Sequence, residues 1–163
     1  MARKVSVIVN AGSGLGNDDA LLERLRALFD AAGADADVRL ARGGIEISAA
    51  VEAALARGPD VIVAGGGDGT VSSVASAIAD KPVALGVLAL GTLNHFARDA
   101  GVPADIEEAV RTIVDGHRVQ VDIAEVNGRT FINNSGLGLY PDIVRNRERQ
   151  RCRRASTIAA TTA

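Results

Sequence analysis

Short apolar runs alternate with stretches of helical periodicity along residues 1–117. Each run has the length and composition of a buried strand. The runs cover residues 5–9, 36–40, 61–64 and 82–90. Between them apolar residues recur three and four positions apart, as at Leu21, Leu25 and Phe29, which is typical of a helix with one buried face. The succession βαβαβαβα predicts an α/β fold, a doubly wound, mostly parallel sheet with helices on both faces.

Capping residues predict where several of these helices begin and end. Gly33 ends the first helix, and Asp105 begins the last one. For the second helix, Ser48 predicts the N-terminus, and Arg42-Gly43-Gly44 before it is expected to be a loop.

The periodicity changes after residue 117. Residues 119–126 alternate between apolar and polar, Asn127-Gly128 is a strong hairpin signal, and residues 129–134 alternate again. This pattern predicts the start of an incomplete antiparallel β domain. The predicted division is an α/β domain at 1–117 and the start of a second domain at 118–163.

One face of this hairpin is apolar and has no partner sheet in the predicted fold. The residues on it are Val119, Val121, Ile123 and Val126. The hairpin either folds back on the α/β domain or pairs with a second copy of the chain. An isolated hairpin is marginal and its edges invite pairing, so we favour a homodimer.

Composition narrows the function classes. Hydrophobic residues make up 47% of the 163 positions but aromatic residues only 2%, which suits a parallel sheet and disfavours nucleic-acid binding by base stacking. Six arginines at 145–154 face one acid, Glu148, and form either a solvated helix face or a surface for anionic lipid. The lone Cys152 gives no disulfide. With no membrane-length apolar run and no signal peptide, we expect a cytoplasmic protein.

The richest turn is Gly65-Gly66-Gly67-Asp68-Gly69-Thr70, between a strand and a helix. Glycines allow close approach, and the start of a helix offers free N–H groups, so this turn predicts a phosphate site. A carboxylate is useful there if it holds a divalent metal or orients a proton donor. Asp68 is therefore the candidate catalytic residue and metal ligand, and a capping aspartate in a tight turn is the alternative.

Two further glycine-rich or polar turns follow strands, at 10–16 and 91–98. Ser13 and Thr92 offer hydroxyl donors, and Asn94 suits either a nucleotide contact or a cap of its own helix. The carboxyl ends of parallel strands share one edge of a sheet, so the three turns are expected to converge on one cleft. Arg98 either reaches phosphate or is solvated.

Two ordered motifs carry a family resemblance. Gly66 to Thr70 reads Gly-Gly-Asp-Gly-Thr, and Gly91 to Arg98 reads Gly-Thr-x-Asn-Asp-Phe-Ala-Arg except at His95. The chain resembles the catalytic domain of the diacylglycerol kinase and sphingosine kinase family, particularly its bacterial lipid-kinase branch. The Asn-Pro-x-x-Gly turn of that family corresponds to Asn10–Gly14, with Ala11 in place of proline.

The resemblance implies that ATP and Mg²⁺ are the cofactors. It also implies transfer of the γ-phosphoryl group to a lipid hydroxyl, such as that of diacylglycerol, at the membrane surface. The implied nucleotide-binding residues are Asn10, Ser13, Gly14, Gly66, Gly67, Asp68, Gly69, Thr70, Thr92 and Asn94.

The same family carries a second, β-rich domain that supplies the lipid site and the general base. We therefore expect little or no turnover from these 163 residues by themselves. Two alternatives stay open: an NAD-kinase-like enzyme, which also uses a Gly-Gly-Asp-Gly turn, and a non-enzymatic nucleotide-binding module.

Overall fold

A computed structural model of the chain describes residues 2–11, 18–127 and 129–132. The strands are β1 (Lys4–Asn10), β2 (Asp35–Ala41), β3 (Val61–Gly66), β4 (Ala84–Ala89), β5 (Ala124–Val126) and β6 (Arg129–Phe131). The helices are α1 (Asp18–Ala31), α2 (Gly43–Leu55), α3 (Asp68–Ile78), α4 (His95–Asp99) and α5 (Ile106–Asp115).

Within the described residues, β1 to β4 form one parallel sheet in the order β2-β1-β3-β4. At its centre Val7 of β1 lies between Val38 of β2 and Val63 of β3. The chain leaves β1 toward one edge of the sheet and leaves β3 toward the other. The point where the direction reverses therefore lies between β1 and β3, which is where open parallel sheets bind ligands.

Helices cover both faces of this sheet, because alternate strand residues point to opposite sides. On one face Leu25 and Phe29 of α1 are fully buried against Val7, and α5 packs beside them. On the other face Val51 of α2 and Val74 of α3 are fully buried in a second cluster. The predicted doubly wound α/β fold is confirmed.

The predicted start of α2 is wrong. The helix begins at Gly43 rather than Ser48, so two of the expected loop residues form its first turn. Its start is held by two side chains, one in that turn and one outside it: the Arg42 N–H donates to the Glu46 carboxylate at 2.8 Å, and the Gly43 N–H to Asn10 Oδ1 at 3.4 Å. With this start, Ile47 falls on the buried face.

The hairpin forms as predicted but is shorter. β5 and β6 pair antiparallel over three residues each, and residues 119–123 are not in a strand. The side of the hairpin formed by β6 folds back on α3, where the Ser76 hydroxyl donates to the Thr130 carbonyl at 3.3 Å and Ile132 packs on the core.

The other side of the hairpin is open to solvent. Val119 is 72% exposed and Val121 54%, and Ile123 and Val126 are also exposed. The contact of β6 with α3 corresponds to one of the two arrangements that the sequence leaves open, in which the hairpin folds back on the α/β domain. Pairing with a second copy, and the domain division at residue 117, stay predictions. The arginine-rich segment and Cys152 lie outside the described residues.

Candidate functional site

The three candidate turns follow β1, β3 and β4 at the same edge of the sheet. β1 contributes Asn10, its last residue, whose side-chain oxygen accepts the Gly43 N–H at the start of α2. Ser13 and Gly14, which belong to this first turn, lie outside the described residues. The geometry of the site is therefore defined by the turns after β3 and β4.

The turn after β3 passes directly into α3. Gly67 is the N-cap, with extended backbone, and α3 begins at Asp68. The N–H groups of Thr70 and Val71 both donate to the Gly67 carbonyl, at 2.9 and 3.1 Å. Gly67 has no side chain to cap the helix, and no side-chain cap bond is made there. The first N–H groups of α3 therefore point out of the helix end at the switch point between β1 and β3.

Thr70 faces the protein rather than the cleft. It is only 5% exposed, and a Cβ on Gly66 would lie 2.5 Å from its hydroxyl oxygen. Gly66 therefore needs to be glycine so that the first turn of α3 can lie over the end of β3.

The carboxylate of Asp68 is directed at the N-terminus of α4. Its two oxygens accept the N–H groups of His95 at 3.1 Å and Phe96 at 2.9 Å. The N-cap position of α4 is Asn94, in the left-handed conformation with φ 49°, and its side chain makes no cap bond to the helix. Asp68 thus caps α4 from 27 residues upstream. These two N–H groups stabilise the negative charge of the Asp68 carboxylate, so a carboxylate is tolerated in a turn that is expected to bind phosphate.

Asn94 is engaged within its own turn. Its Oδ1 accepts the Gly91 N–H at 3.0 Å, and its Nδ2 donates to the carbonyls of Gly91 at 2.8 Å and Ala89 at 3.3 Å. These bonds fix the shape of the turn. They leave Thr92 exposed at its tip, where the hydroxyl is accessible.

The two turns touch backbone to backbone. A Cβ on Gly91 would lie 2.4 Å from the Gly67 Cα and 2.9 Å from the Gly67 nitrogen. No side chain fits at this contact. The structure therefore brings residues 66–70 and 91–94 together, two of the three turns that are expected to converge, and the convergence of the first turn stays a prediction.

Comparison with known proteins agrees with this architecture. The family profile of the diacylglycerol kinase catalytic domain matches residues 4–126, which is more than half of the chain. The chain belongs to the diacylglycerol kinase catalytic domain family. This family includes a diacylglycerol kinase of Staphylococcus saprophyticus, which is 36% identical over 151 residues, covering 85% of this chain and 46% of the relative.

Solved structures resemble this diacylglycerol kinase family chain in the same region. A putative diacylglycerol kinase from Bacillus anthracis matches with a TM-score of 0.70 and 31% identity, over 79% of this chain and 48% of that protein. A second structure from the same organism gives a TM-score of 0.68 with 45% of its length covered. The chain spans about half the length of the relatives it matches.

Magnesium is compatible with the side chains of this family member. Among the described residues there is no group of three or more His, Cys, Asp or Glu side chains that could hold a metal by themselves. Mg²⁺ commonly takes one or two carboxylates and completes its shell with phosphate oxygens and water. Asp68 supplies one such carboxylate, and each of its oxygens keeps a lone pair after accepting one N–H.

Sequence reasoning missed two features of this site. One is the cap that Asp68 provides for α4, and the other is the contact between Gly67 and Gly91. Both join segments that are distant in the chain, so no local pattern signals them. The structure brings His95 to Asp68 through its backbone N–H, whereas Arg98 is exposed on α4.

Proposed function

We propose that this chain is the nucleotide-binding part of an ATP-dependent lipid kinase. The enzyme would transfer the γ-phosphoryl group of ATP to a lipid hydroxyl such as that of diacylglycerol. The observation that carries the proposal is the N-terminus of α3, which has no side-chain cap and lies at the switch point of the sheet. A helix start with outward N–H groups favours a phosphate chain.

In this proposal the phosphates lie over the turn 66–70. The backbone N–H groups of Asp68 and Gly69 donate to them, and the Thr92 hydroxyl approaches from the second turn. Asn94 contributes by holding that turn in shape. Asn10, Ser13 and Gly14 would line the nucleotide on the side of β1, because β1 is the next strand to β3.

Asp68 would hold Mg²⁺ together with the phosphates through its free lone pairs. When bound, the metal neutralises charge on the transferred phosphoryl group, and phosphoryl transfer depends mainly on such neutralisation and on positioning. The chain's own part is to orient the phosphate chain by backbone donors.

We propose that the lipid site and the general base belong to the part of the relatives that this chain does not span. These 163 residues alone should then show little or no turnover. We further propose a cytoplasmic protein that meets its lipid at the membrane surface. Among the described residues, no helix has both the length and the apolar character to cross a membrane.

Thermal melting in the presence of nucleotides tests the proposal. We expect Mg-ATP and Mg-ADP to raise the melting temperature and adenosine, which lacks phosphate, to do so far less. A ligand that binds only the native state adds about 2.7 kcal/mol of stability at 100 times its Kd. A shift with Mg-NAD and none with Mg-ATP would instead favour an NAD-kinase-like protein.

A pair of glycine-to-glutamate variants tests whether phosphate binds at the N-terminus of α3. Gly69 is exposed, lies in the first turn of α3, and has open space where a side chain would go. Gly69→Glu should therefore fold normally but repel phosphate and abolish the ATP shift. Gly44→Glu puts the same charge in the first turn of α2, at an equally open position, and should keep the shift. Equal ATP shifts for both variants would contradict this phosphate site.

A further inference from the structure

Among the residues that the structure describes, the side chains of Asp68 and Asp105 each cap a helix, and the two caps differ in reach. Asp105 caps α5 locally, accepting the N–H groups of Glu107 at 2.9 Å and Glu108 at 3.0 Å. Asp68 makes the same pair of bonds to α4, but from the first turn of α3. A local cap fixes one helix, whereas the Asp68 cap fixes one helix relative to another.

Packing and hydrogen bonding both join these elements: Ala97 of α4 is buried in the same core cluster as Val71 and Val74 of α3, and Asp68 bonds to the end of α4. α4 has five residues, too few to be stable without tertiary support, and it has no cap of its own. In the turn before it, Gly91 lies directly against Gly67 without side chains between them, and the Leu90 N–H donates to the Gly66 carbonyl at 3.2 Å. Asp68 adds two charge-assisted hydrogen bonds beside that contact, and such bonds are stronger and more directional than neutral ones.

We propose that Asp68 is a positioning residue that sets the turn 91–94 and α4 against the N-terminus of α3. The consequence for ligand binding rests on the proposed function: donors from both turns then face one phosphate chain before any nucleotide or metal arrives. Asp68 thereby aids nucleotide binding through α4, independently of any metal that it holds.

Amide hydrogen exchange without nucleotide and without Mg²⁺ tests the structural half of the proposal. In Asp68→Ala the amides of His95, Phe96 and Arg98 should exchange at least about 10-fold faster, which corresponds to about 1.4 kcal/mol. The amides of α5 should not change. Asp105→Ala is the matched control. It should speed amide exchange at Glu107 and Glu108 and leave the exchange rates of the α4 amides unchanged. Asp68→Asn keeps one acceptor oxygen and should fall between wild type and Asp68→Ala.

Nucleotide affinity measured in EDTA separates positioning from metal binding. Removing a negative charge beside phosphates should by itself tighten binding of metal-free ADP, since like charges repel. If Asp68 positions the second turn, Asp68→Ala should instead weaken that binding, by about 10-fold if the lost alignment is worth about 1.4 kcal/mol. Asp105→Ala, which also loses a cap, should leave the affinity unchanged.

The outcomes are distinguishable. Unchanged α4 exchange in both Asp68 variants, or tighter metal-free ADP binding in Asp68→Ala, would overturn the positioning role. If Asp68→Ala does not fold, the Asp68→Asn variant is judged by the same two readouts. Failure of the wild-type chain to bind any nucleotide would overturn the proposed function, while the exchange of α4 amides would still decide whether Asp68 holds that helix.

Discussion

At the scale of single residues, the site depends on glycines for different physical reasons. Gly91 is needed because another backbone occupies the space where its Cβ would go. Gly69, two residues along from Gly67, has nothing within 4 Å of its Cβ position and takes no positive φ. Glycines of the two motifs can therefore be distinguished by what a methyl group would meet.

This difference predicts opposite effects on stability. Gly91→Ala should destabilise the protein by about 1–3 kcal/mol, because the methyl group forces two backbones apart. Gly69→Ala should stabilise it by about 0.4–1 kcal/mol, because alanine reduces the freedom of the unfolded chain and suits a helix. Urea denaturation of both variants checks the prediction. Destabilisation by Gly69→Ala as large as that by Gly91→Ala would contradict it.

At the scale of elements, strands and helices were predictable to different degrees. β1, β3 and α5 follow from apolar runs and from Asp105, which are local signals, and the structure confirms them. The start of α2 was not predictable from Gly43 and Gly44, since glycine is a poor helix former. There the surroundings override the propensity, through Asn10 and Glu46.

The direction of the Asp68 side chain is also not predictable from the sequence, because it is set by contacts with residues distant in the chain. The residue type and the turn predict a site candidate, with a capping aspartate in its own turn as the alternative, and the assignment as a site stays a prediction. Its partners His95 and Phe96 lie 27 and 28 residues further along the chain, beyond the reach of a local pattern. Asp105, whose partners are two and three residues away, is predictable as a cap from the local sequence, and the structure confirms it.

The corrected start of α2 makes a prediction for two isoleucines of one turn. Ile45 is 89% exposed and Ile47 is 3% exposed. Ile47→Ala should cost about 2–5 kcal/mol because it leaves a cavity in the core. Ile45→Ala should stay within about 0.5 kcal/mol of wild type. Thermal or urea unfolding of the pair measures this, and similar losses for both would place the start of the helix elsewhere.

At the scale of the whole molecule, the hairpin is the feature that the α/β fold does not account for. β6 rests on α3, yet Val119, Val121, Ile123 and Val126 are exposed. Exposed apolar residues beside a short strand pair invite association. These residues lie outside the parallel sheet and outside the turns of the proposed nucleotide site, so we expect their role to be a separate one.

We expect a second copy of the chain to cover this face. Sedimentation at micromolar concentration should show a dimer, and Val121→Lys should shift it to monomer because a charge would be buried at the joint. Ile45→Lys, at an apolar side chain that is also exposed but lies outside the hairpin, should leave the dimer intact. A monomeric wild-type chain with slow amide hydrogen exchange in the hairpin would contradict dimerisation through this face.

The position of β1 between β2 and β3 has a consequence for how the protein is made. β2 is synthesised soon after β1, so these two strands can pair early. Val61, which pairs with Val5, is synthesised later, and Gly91, which contacts Gly67, later still. The cleft is thus among the last features to assemble, after long loops have closed. A nucleotide cannot guide a nascent chain toward a site that does not yet exist. In the proposed function ATP binds only the finished sheet, so ATP should slow unfolding and leave the folding rate nearly unchanged, which stopped-flow kinetics with and without Mg-ATP would measure.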